Sequence, residues 1–374
     1  MIRILHFVHA LTKSGGLSNF IMNYYREIDR NLIQFDFVYF VDVKDSFIEE
    51  IESLGGRVFK FTTPSIKNSS YKSEANSFFK EHKDEYAAIH CHALFSAAIY
   101  GPIAKKNGIN NIIIHAHSFG YGKGFFRKVR NFYLIKKGCR TSNIKLACSL
   151  RAAEFMFGKK SVSRGEVQIV PNAIKTDKYA FNKLTRSKIR NELNIDPDAF
   201  VLGHVGGFSP VKNHSFIIDV FSSIASEHPN SYLVLIGASG VASGSTLQMI
   251  KDKVEELGLS EKVIFTGVKT NVNEYMMAMD AFIFPSLFEG FGLVLVEAQA
   301  SGLNSYASTN VPKDAKCCDL VHYLELEKGP LFWANEIMKG HTINREESIK
   351  YMEKYDIGKQ KAVLESIYLK TLKK

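Results

Sequence analysis

Short apolar runs bounded by turn residues alternate with longer segments of helical pattern over the first half of the chain. Runs of this kind are typical of buried strands, and strands that alternate with helices indicate a parallel sheet covered on both faces. The pattern predicts strands at residues 4–8, 35–41, 57–61, 88–90, 111–115, 144–148 and 167–170. We therefore expect the first half to be one α/β domain.

The same alternation begins again in the second half, with strands predicted at residues 200–205, 232–236, 263–266 and 281–284. A chain of 374 residues is too long for one ordinary core and suits two domains of average size. The crossing between them is predicted near Pro171 and Asn172, and the pattern after Arg345 is helical. The expected domains are residues 1–172 and 173–345, followed by a helical tail at 346–374.

The composition, with 45% hydrophobic and 23% charged residues, is typical of a soluble globular protein. The apolar start of the chain is too short for a signal peptide, and no run is long enough to span a bilayer. The five cysteines are odd in number and lack Cys-x-x-Cys spacing, so neither a disulfide framework nor a zinc site is expected. These features favour the cytoplasm.

The net charge of +10 is concentrated in one region. Residues 101–165 hold fourteen Lys and Arg against one acid, Glu154, so the local charge is 14 − 1 = +13. Within it, residues 125–137 interleave aromatic side chains with cations such as Arg127, Lys128 and Arg130 at roughly helical spacing. This helix could lie on an anionic membrane surface, or it could face the core and expose a basic side to water. No nucleic-acid-binding motif accompanies the charge, so nucleic acid is not expected as a partner.

Two carboxylates flank a glycine-rich turn after the last predicted strand. Glu289 precedes the turn, a helix is predicted to begin at Leu293 and to end at Gly302, and Glu297 lies near its second turn. The first N–H groups of such a helix favour an anion. One carboxylate could then meet a sugar while the other takes paired ribose hydroxyls. An ordinary strand, turn and helix with two surface glutamates would show the same pattern.

A second glycine pair, Gly206 and Gly207, follows the predicted strand at 200–205 and leads to Lys212 just before the next helix. A lysine there can stabilise phosphate charge, although an ordinary surface lysine would also fit. The Asp-x-Asp string at Asp196 and Asp198 lies in a turn before a strand. We interpret it as a loop, not as a metal site.

His115 and His117 end a predicted strand of the first domain. Because side chains alternate along a strand, both lie on the same face and the sequence does not choose between them. His117 is nearer the loop and is the favoured candidate of the two for a contact with a ligand, with a hydrogen bond to backbone as the alternative role. His90 and His92 form a similar pair, which we interpret as structural.

Together these motifs resemble family four of the retaining glycosyltransferases, enzymes of the GT-B fold, and in particular the bacterial capsule and exopolysaccharide branch. The paired glutamates in their context are the specific element, since glycine pairs alone are weak signals. Further matching segments run through most of the chain, at residues 15–17, 114–118, 147–149 and 169–174.

The resemblance implies an α/β fold of two Rossmann-like, doubly wound domains that face each other across a cleft. The first would bind the acceptor and the second the nucleotide sugar, and the tail would cross back onto the first domain. The implied reaction is metal-independent and needs no cofactor. It moves a hexosyl group from a nucleoside diphosphate sugar, by expectation a UDP-sugar, to a hydroxyl of a saccharide or lipid-linked acceptor with retention of configuration. The expected location is the cytoplasm, with peripheral attachment to the inner face of the membrane.

The resemblance also assigns residues to roles. The catalytic set is Glu289, Lys212 and His117, the histidine because family members often have one near the reacting sugar. The donor-binding set is Gly16, Gly206, Lys212, Val268, Glu289, Gly290, Phe291, Gly292, Leu293 and Glu297, with backbone around Val268 meeting the base. The acceptor or membrane side is assigned to His115, Arg127, Lys128 and Arg130.

One departure from the family pattern affects the donor diphosphate. Family members usually carry an arginine where this chain has Gly207, so only Lys212 remains of the pair of cations. Two hypotheses follow: an active transferase with a weakened phosphate site, or a non-catalytic nucleotide-sugar-binding subunit of a polysaccharide assembly complex.

Overall fold

The computed structural model describes residues 1–13, 15–65, 69–92, 95–117, 124–238, 244–340 and 345–373. The chain forms two compact units. One unit comprises Met1–Ala173 together with Ile357–Lys374, and the other comprises Ile174–Asp356. Among the residues described, no helix combines the length and the apolar character needed to cross a membrane.

The first unit is a parallel sheet covered by helices. Its strands are β1 (Ile2–Phe7), β2 (Ile33–Tyr39), β3 (Val58–Lys60), β4 (Tyr86–Cys91), β5 (Ile112–Ala116), β6 (Ile144–Ala147) and β7 (Val167–Ile169). Its helices before the second unit are α1 (Gly16–Glu27), α2 (Ile48–Ser53), α3 (Ser70–Glu81), α4 (Ser96–Lys106), α5 (Phe125–Thr141), α6 (Leu150–Phe157) and α7 (Lys159–Ser163). The strand order is β3-β2-β1-β4-β5-β6-β7, so the direction of winding reverses between β1 and β4.

Alternation along these strands builds a core on each face of the sheet. Ile4 and Phe37 enter one buried cluster, and their neighbours Leu5 and Val38 enter the other. A strand that is buried on both faces has apolar residues at successive positions. The apolar runs of the sequence follow from this geometry.

The second unit repeats the architecture. Its strands are β8 (Phe200–Val205), β9 (Ser231–Ile236), β10 (Val263–Gly267), β11 (Ala281–Phe284), β12 (Asn304–Ser308) and β13 (Val321–Leu324), in the order β10-β9-β8-β11-β12-β13. Its helices are α8 (Lys183–Glu192), α9 (His214–Glu227), α10 (Gly244–Glu256), α11 (Val272–Ala278), α12 (Leu293–Ala300) and α13 (Gly329–Lys339). Here the winding reverses between β8 and β11. Ligands of open α/β sheets bind beyond the carboxyl ends of strands at such a reversal.

The last helix, α14 (Ile357–Leu369), belongs to the first unit. Leu364 and Tyr368 are buried in the same cluster as Ile4 of β1. The division of the chain falls after Asp356, later than the expected boundary at 345/346. The reason is that Met352 and Tyr355 are buried in the core of the second unit.

Candidate active site

The site is built where β8 and β11 end side by side in the second unit. The loop after β8 and the loop after β11 are joined by main-chain and side-chain bonds. The Leu287 N–H donates to the Val211 carbonyl at 2.8 Å, and the Asn213 side-chain amide donates to the Pro285 carbonyl at 3.3 Å. Asn213 adopts the left-handed conformation, with φ of 57°, which turns the chain from the first loop into α9. The two motifs are therefore held against each other.

Lys212 and Glu289 meet across these loops. Lys212 Nζ donates to Glu289 Oε1 at 2.6 Å, and the side chains are only 23% and 12% exposed. The ammonium also lies 4.9 Å from the centre of the Phe284 ring. The structure thus brings together two of the residues that the sequence predicts to be catalytic, as a partly buried ion pair at the topological reversal.

Glycine at position 206 leaves room for the lysine stem. A Cβ at Gly206 would lie 3.0 Å from His204 Nε2 and 3.5 Å from Lys212 Cδ. Gly237, at the end of the neighbouring β9, has φ of +150°, and a Cβ there would lie 2.1 Å from the Gly206 carbonyl oxygen. Gly207 is less constrained, because a Cβ there would meet only the Ala238 carbonyl oxygen at 3.3 Å among the described atoms.

Helix α12 begins at the glycine turn predicted from the sequence. Gly292 caps it in the left-handed conformation, with φ of 90° and ψ of 52°, which strains most other residues. Phe291 is buried, whereas Gly290 and Leu293 are partly buried. The N–H groups of the first helical turn lack intrahelical acceptors and suit an anion. The far end is anchored by Gln299, whose amide donates to the Leu295 and Ala315 carbonyls, both at 2.8 Å.

Glu297, one turn into α12, is paired with Tyr179. The tyrosine hydroxyl is hydrogen-bonded to the carboxylate. Burial raises the pKa of Glu297 to about 7, and the bond from Tyr179 opposes the rise. Burial and the neighbouring carboxylate raise the pKa of Tyr179 well above its usual value. Tyr179 lies far away in sequence, and no motif marked it as a partner of the glutamate.

Two further residues of the expected donor set are placed apart from this group. Val268 directly follows β10 and is 66% exposed. Gly16 is the first residue of α1 in the first unit, and no described atom lies within 4 Å of the place a Cβ would take. Both positions lie at carboxyl ends of their sheets.

Five histidines of the first unit form two layers, in each of which the rings lie edge to edge. In one layer His6 Nδ1 lies 3.0 Å from His92 Nε2, and His92 Nδ1 lies 2.8 Å from His117 Nε2. In the other layer His90 Nε2 lies 3.2 Å from His115 Nδ1. The layers stack with ring centres 4.1 Å apart at His90 with His92 and at His115 with His117.

Four of the rings are buried and that of His117 is partly buried, and removal from water keeps all five neutral. It lowers the pKa of His6 and of His117 to about 3, and lowers the pKa of His90, His92 and His115 well below the usual value. Their nitrogens also come close enough in threes to suggest a metal site. However, one pair of nitrogens in each group already lies at hydrogen-bond distance, His6 Nδ1 with His92 Nε2 in the first and His92 Nδ1 with His117 Nε2 in the second. The geometry therefore favours hydrogen bonds between rings.

His115 and His117, which the sequence could not separate, have different surroundings. His115 is buried and its Nδ1 is engaged by His90, which in turn is hydrogen-bonded to the Tyr368 hydroxyl at 2.6 Å. His117 is partly buried and directly follows β5. The geometry favours His117 as the histidine that meets a ligand. His90 and His92, interpreted from sequence as a structural pair, are central members of the network.

The basic helix predicted at 125–137 is the N-terminal part of α5. Only Ile135 and Gly138 of this helix are buried. Phe126 is 87% exposed and Phe125 and Tyr133 are also exposed, side by side with the exposed cations Arg127, Lys128 and Arg130. The helix therefore presents an aromatic and basic surface, not a purely polar one.

A doubly wound unit with a lysine and a helix start at its winding reversal is typical of nucleotide-binding proteins. Comparison with known proteins gives the family. Two family models match: "Glycosyltransferase Family 4" over residues 14–178 and "Glycosyl transferases group 1" over residues 185–312.

Individual proteins match over nearly the whole chain. The putative glycosyltransferase EpsF of Bacillus subtilis (strain 168) is 30% identical over 349 residues, which are 92% of this chain and 88% of that protein. The capsular polysaccharide biosynthesis glycosyltransferase CapH of Staphylococcus aureus is 23% identical over 380 residues, covering 100% of both. The crystal structure of Anabaena HepE in complex with UDP-glucose has a TM-score of 0.76 at 18% identity and covers 100% of both chains.

The chain therefore belongs to glycosyltransferase family 4. The family and the GT-B fold predicted from the sequence are confirmed.

Proposed function

We propose that the protein is a retaining glycosyltransferase of bacterial surface polysaccharide synthesis. It moves a sugar from a UDP-sugar to a hydroxyl of a saccharide or lipid-linked acceptor. The observation that carries the proposal is the Lys212–Glu289 pair beside the start of α12, at the winding reversal of the second unit. The role of CapH in capsule synthesis and the UDP-glucose bound by HepE support the pathway and the donor class.

Breaking the bond between an anomeric carbon and a diphosphate leaves negative charge on the phosphate and positive charge on the sugar. Lys212 has three N–H donors, of which Glu289 accepts one. The remaining donors and the first N–H groups of α12 are proposed to stabilise the leaving diphosphate, so that this role needs no metal. Glu289 is proposed to meet the donor sugar, and its negative charge suits the developing positive charge on that sugar.

The roles of the remaining residues are proposed from their positions in the fold. Glu297 is proposed to accept hydrogen bonds from the two ribose hydroxyls, in an orientation that Tyr179 supports. Backbone near Val268 is proposed to contact the base. His117 of the first unit is proposed to contact the acceptor. Retention of configuration is taken from the family, and no residue is proposed as a covalent nucleophile.

The exposed surface of α5 favours the proposal that the acceptor is held at a membrane. Exposed aromatic rings beside cations are typical of helices that lie at an anionic membrane surface. A cavity of about 340 Å³ adjoins the helix, lined by Phe132, Ile135, Lys136 and Phe155 among others. We propose that this face of the first unit holds the enzyme at the inner surface of the cell membrane.

A non-catalytic sugar-nucleotide-binding subunit is the second candidate, and Gly207 is the observation that favours it. Without the usual arginine, Lys212 is the one cation of that loop. The retained Lys212–Glu289 pair favours catalysis over this alternative, because binding alone does not need a charge on the sugar side of the site.

The test is release of nucleoside diphosphate from a panel of donors, with Lys212→Ala as the matched control. An active transferase releases UDP from at least one UDP-sugar, and Lys212→Ala releases none above background. A parent protein that binds UDP in calorimetry but releases nothing from any donor would support the binding subunit. A parent that neither binds nor releases nucleotide would refute both.

A further inference from the structure

The chain of rings His6–His92–His117 leads from the core of the first unit to the end of β5. His6 is packed against Phe35, with ring centres 4.1 Å apart, and its Nε2 has no hydrogen-bond partner among the described residues. His92 lies between the other two and uses both of its nitrogens, one toward each neighbour. The chain therefore ends in the core on one side and at His117 on the other.

We propose that His92 is a positioning residue, which fixes the ring orientation and a single tautomer of His117 through Nε2 and leaves Nδ1 as the nitrogen offered to the substrate. This inference rests on the proposed function for its kinetic consequence, but the tautomer is a property of the protein alone.

The number of protons on the three rings limits the tautomers that they can adopt. A neutral imidazole has one N–H and one lone pair, and the lowered pKa values keep these rings neutral near pH 7. A hydrogen bond between two neutral rings requires a donor on one and a lone pair on the other. Three rings in a chain then have only two proton arrangements, one for each direction, and the two give His117 opposite tautomers. The direction in which His6 holds its proton on Nδ1 is favoured, because in the other direction the buried His6 Nε2 would carry an N–H without an acceptor among the described residues. In the favoured direction His117 accepts at Nε2 and carries its proton on Nδ1. An isolated histidine would exchange between both.

The orientation of the ring is fixed as well. His117 accepts or donates at 2.8 Å to His92, stacks on His115 at 4.1 Å, and meets the edge of Phe20 at 4.9 Å. With Nε2 held by His92 and the ring packed against His115 and Phe20, Nδ1 is the polar atom that His92 does not engage. A ring held in this way loses little freedom when substrate binds, which lowers the barrier of the reaction.

Three variants of the full-length protein test the role. His92→Phe keeps an aromatic ring but removes both nitrogens. His92→Asn places an amide near the position of Nδ1, where its N–H can donate to His117 Nε2. His90→Phe is the matched control, because His90 is equally buried and stacks on His92 but is not hydrogen-bonded to His117.

The first readout is the ¹⁵N spectrum of histidine-labelled protein, with the His117 signals assigned through His117→Asn. We expect one tautomer of His117 in the parent and in His90→Phe, and averaged shifts of both tautomers in His92→Phe. The same averaging in the parent, or one unchanged tautomer in His92→Phe, would overturn the proposal, whatever reaction the protein catalyses.

The second readout is turnover at saturating donor. His92→Phe should lower kcat by about tenfold to a hundredfold, the scale of a misplaced reacting group, with the Kd for UDP within about twofold of the parent. His92→Asn should restore most of kcat. If His92→Phe loses stability and His92→Asn does not recover kcat, the role of His92 is structural only. An equal loss of kcat in His90→Phe would lead to the same conclusion. A parent without transferase activity would refute the proposed function and leave the spectroscopic result to decide the tautomer.

Discussion

Replacing Glu297 by glutamine should weaken UDP binding and at the same time stabilise the second unit at pH 8. Burial raises the pKa of this carboxyl from its ordinary 4.5 to about 7. Glutamine keeps the size of the side chain and can still bond Tyr179, but it has no charge to desolvate. The substitution therefore separates the contribution of the charge to UDP affinity from its cost in the free energy of unfolding.

The sign follows from proton linkage. A carboxyl whose pKa is raised on folding binds its proton more tightly in the folded state, so its favourable effect is complete below about pH 4.5 and is lost as the pH rises through about 7. The ionised group at pH 8 then costs roughly 1–3 kcal/mol relative to a neutral one. For a domain of this size, each kcal/mol corresponds to about 2–4 °C in Tm. Glu297→Gln should raise Tm at pH 8 and change it little at pH 5.

Nucleotide binding should move in the opposite direction. If the ionised carboxylate accepts the ribose hydroxyls, the parent should bind UDP up to about tenfold more tightly at pH 8 than at pH 6, because the ionised fraction rises through a pKa near 7. At pH 8 the variant should lose about 1.5–3 kcal/mol of binding free energy, the scale of hydrogen bonds to a charged group.

Calorimetric titration with UDP and thermal unfolding at pH 5, 6 and 8 check both effects. Glu192→Gln is the matched control, since Glu192 is an exposed glutamate of α8 in the same unit, and it should change neither quantity. An unchanged UDP affinity would remove Glu297 from the nucleotide site. A Tm shift independent of pH would refute the assignment of the stability cost to its charge.

Four further outcomes are expected. Glu289→Gln should lower turnover and spare UDP binding, and equal losses in both would contradict its assignment to the sugar. Gly207→Arg should raise turnover by about tenfold for each 1.4 kcal/mol gained at the leaving diphosphate, because φ there is not positive and, among the described atoms, the Ala238 carbonyl is the one that must yield slightly. A lower activity of Gly207→Arg than of the parent would show that the glycine itself is needed. In a separate variant, Lys212→Ala should abolish transfer. Glutamine in place of five cations of α5 should reduce sedimentation with anionic vesicles, each cation contributing about 1 kcal/mol, while activity on a water-soluble acceptor is kept. A parent that binds no vesicles at low salt would favour a solvated helix. The five positions are Arg127, Lys128, Arg130, Lys136 and Lys137.

The local sequence pattern was sufficient to predict the strands and the helix that hold Lys212, Glu289 and Glu297. The bounds of β8, β11 and α12 match the prediction, because each is an apolar run that ends at glycine or proline. β12 was missed because its sequence, Asn304–Ser308, is small and polar, although Ser305 and Ser308 are fully buried. β13 was also missed, since it is short and includes His322. These small polar residues are buried because other strands lie beside them. The sequence pattern of a short segment does not show which strands will be its neighbours.

The partners of the site residues depend on topology. Glu289 and Lys212 were each found from their own turn, but their ion pair requires β8 and β11 to be neighbours. The histidine network likewise needs β1, β4 and β5 side by side, so His6 carried no signal in the sequence. Tyr179 meets Glu297 only once the second unit has folded.

Helix α14 has a consequence for synthesis of the chain. The first unit needs this helix, whose last residue, Leu369, is translated 369 − 173 = 196 residues after Ala173 and after the whole of the second unit. At about 5–20 residues per second the ribosome takes roughly 10–40 s to make that stretch. During this time the surface that will receive Leu364 and Tyr368 remains open to water or to chaperones. His90 likewise lacks its phenol partner until then, so the histidine network reaches its final form only when the helix has left the ribosome.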